Sequence, residues 1–261
     1  MKALSIAATG MLAQQLNVEV ISNNIANMST TGYKRQRAEF QDLLYQELQR
    51  AGTASSDTGT IIPAGVQIGV GVKTGSVYRI TSQGNLQLTE NPYDLAIKGR
   101  GFFRIQLPSG EDAYTRAGSF QINAQGQLVN SDGYIVAPGI TIPQGALDVT
   151  INTSGSVQVM LAGQTAPQTV GQLELTTFFN EAGLQATGDN LFMETAASGA
   201  ANTGTPGASG FGTVLQGFVE TSNVNAVQEI TNLITAQRAY EMNSKVITTS
   251  DDMLRTITQL R

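Results

Sequence analysis

The C-terminal stretch Thr221–Arg261 contains neither Pro nor Gly, the two residues that most strongly interrupt a helix. Apolar residues recur in it every seven positions, as Leu233, Tyr240, Ile247 and Leu254, and in a second row as Val246, Met253 and Leu260. At ~1.5 Å per residue such a helix is roughly 55 Å long, too long for a compact domain to cover. The seven-residue repeat therefore predicts a coiled-coil helix.

The N-terminus carries a matching repeat of Leu4, Met11, Val18 and Ile25, with Ala7 and Ile21 beside it. Gly10 interrupts this pattern, either as a weak point or as a place where two helices approach closely. Both repeats include polar residues, among them Gln14, Asn243 and Ser250, so two isolated helices would pair weakly. We expect neighbouring copies in an assembly to complete them. The alternative is an ordinary two-helix hairpin within a monomer.

Composition narrows the possible functions of the 261 residues. The formal charge is −5 and no basic cluster exceeds 34–37, which argues against nucleic acid as a partner. The absence of Cys and His removes disulfides, thiolate chemistry and the usual zinc ligands. No apolar run is long enough to span a bilayer, and the N-terminus has no clear signal-peptide core. We therefore expect a protein that is not embedded in a membrane.

The middle of the chain reads as short strands separated by turn residues, for example Asp132-Gly133, without interleaved helical patterns. The sequence thus predicts an α+β protein, with a discontinuous coiled-coil domain from both ends and an all-β body joined by irregular extended segments. The predicted divisions are helical residues 1–30 and 218–261, a connecting segment 31–75, a β-rich body 76–194, and a Gly/Ala-rich return loop 195–217. Within the connecting segment, apolar residues at 40, 43, 44 and 48 predict a short helical piece.

Motifs that could support catalysis are weak. Asp57-Thr58-Gly59 matches the aspartic-protease triplet, but that chemistry needs two such carboxylates in one site. The stretch 69–75 resembles a phosphate loop but lacks the Gly that precedes Lys-Thr in that motif and is not followed by a helical pattern. Without His or Cys, the commonest bases and nucleophiles are missing. We expect no enzymatic activity, no cofactor and no bound metal.

Several ordered motifs resemble the flagellar rod and hook family. They are 22–27 (SNNIAN), 31–35 (TGYKR), 82–86 (SQGNL), 96–103 (AIKGRGFF), 114–120 (YTRAGSF), 220–225 (ETSNVN) and 237–245 (QRAYEMNSK). Within that family, the length and the segment 42–75 are most similar to the distal-rod branch. Proximal rod and hook-type subunits are the nearest alternatives. A monomeric secreted binding module or adhesin is the alternative from a different class.

The resemblance implies a structural subunit that polymerises with itself into a straight, rigid helical tube. Such a tube passes torque from the motor to the hook and encloses the export channel. The implied partners are other copies, proximal rod proteins, the hook protein, and the ring proteins of the outer membrane and peptidoglycan. The implied location is the basal body, spanning the periplasm, after export by the flagellar type III apparatus without a cleaved signal.

The candidate site is therefore an assembly interface on the terminal helices. Its members are Leu4, Met11, Val18, Ile25, Asn23, Asn24, Asn27, Leu233, Arg238, Tyr240, Ile247 and Leu254. The three asparagines have a simpler interpretation as residues that end a helix, since Asn favours caps and turns. Arg238 and Tyr240 likewise fit an ordinary exposed charge and a core ring.

Overall fold

The computed structural model describes residues 2–49, 64–164 and 166–259. They form a long helix at each end of the chain and a strand-rich body between, which confirms the predicted α+β fold class. Helix α1 spans Lys2–Ala26 and helix α2 spans Ala226–Gln259. Helix α2 begins at Ala226, after Asn223, whose side chain is held by hydrogen bonds to other backbone segments. Its 34 residues correspond to about 51 Å.

The strands of the described residues are short, and a single 3₁₀ turn, Glu181–Gly183, lies among them. In chain order they are β1 (Gln36–Asp42), β2 (Tyr45–Gln49), β3 (Val66–Gly69), β4 (Val72–Arg79), β5 (Leu86–Leu88), β6 (Leu95–Lys98), β7 (Phe102–Gln106), β8 (Asp112–Thr115), β9 (Gln121–Ile122), β10 (Leu128–Val129), β11 (Ile135–Val136), β12 (Ala146–Ile151), β13 (Ser156–Leu161), β14 (Gln168–Gln172), β15 (Leu175–Thr177), β16 (Gln185–Gly188), β17 (Leu191–Met193), β18 (Asn202–Gly204), β19 (Thr213–Gln216) and β20 (Phe218–Glu220).

The chain divides into two compact units. The helical unit consists of Met1–Ile25, Gln36–Tyr78 and Ala226–Arg261, and the β unit of Ala26–Arg35 and Arg79–Asn225. The helical unit contains α1, α2 and two small sheets, β1–β4 and β2–β3. It is thus assembled from three separate segments of the chain.

The predicted short helix at 40–48 was wrong, because this segment forms β1 and β2. The apolar spacing there fits a helix, but an isolated helix this short is marginal in water. Pairing in register with β3, where Gln46 lies opposite Ile68, provides partners for the backbone groups instead. Long-range pairing overrides the local pattern.

The β unit is built around β7. This strand pairs with β8 along one edge, and along the other edge with β15 at its start and β11 at its end. The resulting nine-stranded sheet follows the order β16-β17-β8-β7-β11-β10-β9, with β18 added outside β15. All strand pairs given for this unit are antiparallel, in agreement with the absence of interleaved helical patterns.

The interior of the β unit is formed by one large apolar cluster, which includes the fully buried Leu95, Phe103 and Leu175. A second, aromatic cluster joins Phe102 to Phe178 and Phe192 through edge-on ring contacts. The segment 195–217, predicted from its Gly and Ala content to be a loop, contains β18 and β19. Both are held by long-range ladders that composition does not reveal, such as Val214 opposite Ile97.

Candidate functional site: the paired terminal helices and a buried charge cluster

The two terminal helices pair in antiparallel orientation. Near the end of α1, the Asn24 side-chain amide donates a hydrogen bond of 3.2 Å to the Glu229 carboxylate near the start of α2. Toward the other end, Gly10 lies against Asn243: a Cβ at Gly10 would lie 2.9 Å from the Asn243 side-chain nitrogen. Both pairs lie two heptads apart on each helix, so one register holds between them. Gly10 is therefore the close approach that the sequence left as one of two possibilities.

Small and branched side chains occupy the buried side of this pair. In α1 the buried apolar residues are Ala7, Ala13, Val20 and Ile21, and in α2 Ala236 is buried. The larger residues of the predicted repeats lie beside these buried residues and are more accessible to solvent. Leu4, Met11, Val18, Ile25, Leu233 and Ile247 are half-buried, whereas Tyr240 and Leu254 are exposed. A single chain therefore leaves much of the predicted apolar surface accessible to a neighbour.

An open groove of about 530 Å³ runs between the two helices. Val18 and Tyr240 provide its apolar surface, and Glu19 and Glu241 carry its charges. Arg238 is exposed, as is Asn23. Asn27 accepts a hydrogen bond of 3.1 Å from the Thr30 hydroxyl, which matches its interpretation as a residue of the turn after the helix.

Asn24 has a different role from the two other asparagines, because its side chain is only 1% exposed. Its amide nitrogen donates to the Gln36 carbonyl at 2.8 Å, and its carbonyl oxygen accepts from the Gln36 N–H at 2.8 Å. This pair of hydrogen bonds has the same donor and acceptor pattern as the bonds between two paired β-strands. With the bond to Glu229, one buried side chain joins α1, β1 and α2.

Replacing Asn24 by Ala is expected to destabilise the helical unit by about 1–3 kcal/mol. The backbone groups of Gln36 and the carboxylate of Glu229 would each lose their hydrogen bond to this side chain. Amide hydrogen exchange of the helices measures the effect. Asn23→Ala is the matched control, since it changes the neighbouring exposed residue. Equal effects from both variants would contradict the special role of Asn24.

The β unit contains a buried cluster of three charges around Glu220, hereafter the Glu220 cluster. The Glu220 side chain is fully buried, and those of Lys34 and Arg116 are nearly so. Glu220 accepts hydrogen bonds from the Lys34 ammonium, from Arg116 Nε at 2.8 Å and from the Gly84 N–H at 2.8 Å. Lys34 also donates to the Ser82 carbonyl at 2.9 Å.

Arg116 connects this cluster to a glycine turn. Its guanidinium donates to the carbonyls of Gly101 at 2.6 Å and Gly99 at 2.9 Å. The Gly-rich turn before the Phe102-Phe103 pair is thus fixed by a buried cation. The Glu220 cluster therefore holds five separate segments of the β unit together.

Burial acts to raise the pKa of Glu220, but the charges of Arg116 and Lys34 and the hydrogen bonds from Lys34 and Gly84 outweigh it. The pKa therefore lies below its ordinary value of 4.5. For Lys34, burial dominates over the attraction to Glu220, and the pKa is lowered from 10.5.

These shifts predict how acid affects the β unit. A carboxyl whose pKa is lower in the folded state contributes stability that is present above its unfolded pKa and is lost as the pH falls through the folded value. We expect the free energy of unfolding to fall as the pH drops below about 4.5, and a Glu220→Gln variant to lose that component. Urea unfolding at a series of pH values measures it. An identical acid slope in both proteins would contradict the assignment.

Five of the motifs that suggested a family meet at this cluster: 31–35, 82–86, 96–103, 114–120 and 220–225. Asn223 accepts from the Arg35 N–H at 2.7 Å and donates to the Ile80 carbonyl at 2.8 Å. Gly32 has a φ of +69°, and a Cβ there would lie 2.6 Å from the backbone nitrogen of Ala117. Sequence reasoning identified these motifs but missed their shared role. One signal in the sequence could have indicated it: these motifs place charged residues in Gly-containing segments, although only 13% of the residues in the chain are charged.

Features of other functional classes do not gather in the part of the chain that the structure describes. Residues 2–49, 64–164 and 166–259 contain no group of three or more His, Cys, Asp or Glu side chains placed to hold a metal ion. Over the same ranges, neither helix has both the length and the apolar character to cross a bilayer. The Asp57-Thr58-Gly59 triplet lies outside the described residues.

Comparison with known proteins agrees with this architecture. Three family models match: flagella basal body rod protein over residues 4–34, the D1 domain of the flagellar hook protein FlgE/F/G over 96–159, and the C-terminal region of the flagellar basal body rod FlgEFG protein over 215–260. The flagellar basal-body rod protein FlgG of Caulobacter vibrioides is 67% identical over the full length of both chains. That of Agrobacterium fabrum is 54% identical over 97% of both, and that of Bacillus subtilis 39% identical over 100% of this chain and 99% of its own. The chain therefore belongs to the FlgG family of flagellar basal-body rod proteins.

Proposed function

We propose that this chain is the subunit of the distal part of the flagellar rod, and that it polymerises into a straight, stiff tube. As a member of the FlgG family it is a structural protein and not an enzyme. One observation carries the proposal: helix α2 packs against α1 on one side and exposes large apolar side chains elsewhere, among them Val227, Met242 and Met253. Neighbouring copies would cover these side chains.

In this proposal residues 1–30 and 218–261 line the inner wall around an export channel. The half-buried Leu233 and Ile247 then contact neighbouring subunits as well as α1. The contacts between copies are head-to-tail and do not close, so they generate a helical polymer. Such a tube, spanning the periplasm between proximal rod and hook, would transmit torque from the motor.

The small fraction of charged residues in the chain supports polymerisation. Only 13% of residues are charged, which limits repulsion between stacked copies and the cost of burying ion pairs at their contacts. A proximal rod or hook-type subunit is the second candidate, since it would share the terminal helices. The feature that favours the distal rod is the segment 42–75, which includes β2 and β3. Residues 50–63 of this segment lie outside the described part of the chain.

Deleting Gln46–Ala64 is expected to leave polymerisation intact but to give curved or flexible tubes. The deletion removes the exposed Leu48 and most of β2, and so it also takes away the strand that pairs with β3 and its exposed Ile68. We expect these apolar side chains to contact neighbours and resist bending. Electron microscopy of the polymers measures their curvature. A Gly/Ser linker of equal length serves as the control, because it keeps the spacing and removes the side chains. Straight tubes from both variants would contradict the stiffening role, and with it the distal-rod assignment.

A further inference from the structure

The two paired helices differ in length, and the register shows where the difference lies. Gly10 lies against Asn243 and Asn24 against Glu229, so each residue of α1 has a defined counterpart in α2. By this register Lys2, the first described residue of α1, lies opposite Asp251. Residues Asp252–Gln259, hereafter the overhang, are helical and continue beyond the described part of α1.

The overhang continues the side of α2 that faces α1. Leu254 follows Ile247 by one heptad, and Ile247 is half-buried where α1 lies beside it. Past the last described counterpart in α1, Leu254 is 37% exposed and Met253 is 61% exposed. Next to them, Arg255 and Asp251 form an ion pair of 3.2 Å. Their charges offset each other, which lowers the cost of placing this surface against an apolar partner.

The opposite end of the same helix carries a second unpartnered surface. Val227, Ile230 and Ile234 are spaced by three and four residues and so share one face. Their side chains are 76%, 49% and 45% exposed. This face, hereafter the outward stripe, points away from the buried Glu229 and Ala236, which mark the side toward α1.

We propose that the overhang of one copy packs on the outward stripe of the next copy. The occupant is a second copy of this chain, because the overhang is continuous with a helix-pairing surface and the stripe offers a helical apolar face of matching character. The two surfaces are different and lie at opposite ends of α2, so each copy can use both at once. A repeated contact of this kind is head-to-tail and open, and it extends into a polymer. This inference rests on the proposed function and names one contact within it.

The chain has no cysteine, so engineered thiols report on this contact without background. The test is the double variant Ile230→Cys with Leu254→Cys, oxidised under polymerising conditions and examined on a non-reducing gel. The two positions lie about 36 Å apart along one helix. A disulfide requires Cα atoms within about 7 Å, so any bond must join two copies. The expected result is a ladder of covalent trimers and larger species.

Three controls define the outcome. Each single variant is expected to remain monomeric on the gel, because the contact joins unlike positions. Gln228→Cys with Leu254→Cys moves one thiol to a different exposed face of α2, and we expect at least a tenfold weaker ladder. Electron microscopy records polymers in every sample. Polymers without a ladder, or dimers from Leu254→Cys alone that equal the double variant, would overturn the proposed contact and leave the rod assignment standing. A folded protein that forms no polymers would overturn both.

Discussion

Replacing Glu220 by Gln is expected to destabilise the β unit by about 3–5 kcal/mol, the loss typical of removing one partner from a buried ion pair. Lys34 and Arg116 would remain buried with no opposing charge. The amide of Gln could still accept from one donor, but it cannot offset two cations. Urea unfolding followed by tyrosine fluorescence measures the change, since the chain has 7 Tyr and no Trp.

The matched control is Glu181→Gln, which breaks the contact with Arg100. That pair has a distance of 3.1 Å, and its side chains are 65% exposed for Arg100 and 13% for Glu181, so solvent reaches it far more than it reaches the Glu220 cluster. Exposed pairs contribute about 0–1 kcal/mol, so the control is expected to unfold nearly like the parent protein. A loss below about 1 kcal/mol for Glu220→Gln would show that the cluster is not a major source of stability.

Replacing either Leu233 or Ile247 by Asp is expected to abolish polymerisation while the β unit stays folded. Both side chains are half-buried in the single chain, and in the proposed tube they become covered by neighbouring copies. Covering a carboxylate without a partner costs several kcal/mol per copy, and the cost recurs at every contact along the polymer. Light scattering and electron microscopy detect the loss of assembly.

The control for these variants is Thr235→Asp, which places the same charge at an exposed position of the same helix. Polymers are expected to persist there, at most with a higher critical concentration. Urea unfolding of the β unit, unchanged in all three variants, would separate failed assembly from failed folding. Tubes assembled from Leu233→Asp or Ile247→Asp would contradict the assignment of these residues to the assembly interface.

The sequence predicted those features that depend on local pattern. The heptad spacing of Leu233 and Ile247 indicated a long helix, and Asp132-Gly133 indicated a hairpin. The structure confirms both, with β10 and β11 paired across that turn and Gly133 at a φ of +85°.

Features that depend on distant partners could not be predicted in this way. The strands β1 and β2 were mistaken for a helix because their apolar spacing fits both structures and only pairing with β4 and β3 decides. The Glu220 cluster was missed for the same reason. Lys34 and Glu220 are separated by 186 positions in sequence, and no local rule connects a lysine in one motif to a carboxylate in another.

The discontinuity of the two units has a consequence for the order in which the chain can fold during its synthesis. Strand β20 carries Glu220, and helix α2 follows it at once, so one C-terminal segment supplies the last part of both units. The hydrogen bond from Asn24 cannot form until Glu229, 205 positions later in the sequence, has been synthesised. A chain that emerges N-terminus first can therefore complete the β unit only after β20 has emerged and the helical unit only after α2 has emerged, since contacts between distant segments form late. Copies truncated before β20 would lack both the closing strand of the β unit and the helix that pairs with α1. A copy must therefore contain its C-terminal segment in order to fold, and only a folded copy can join the polymer.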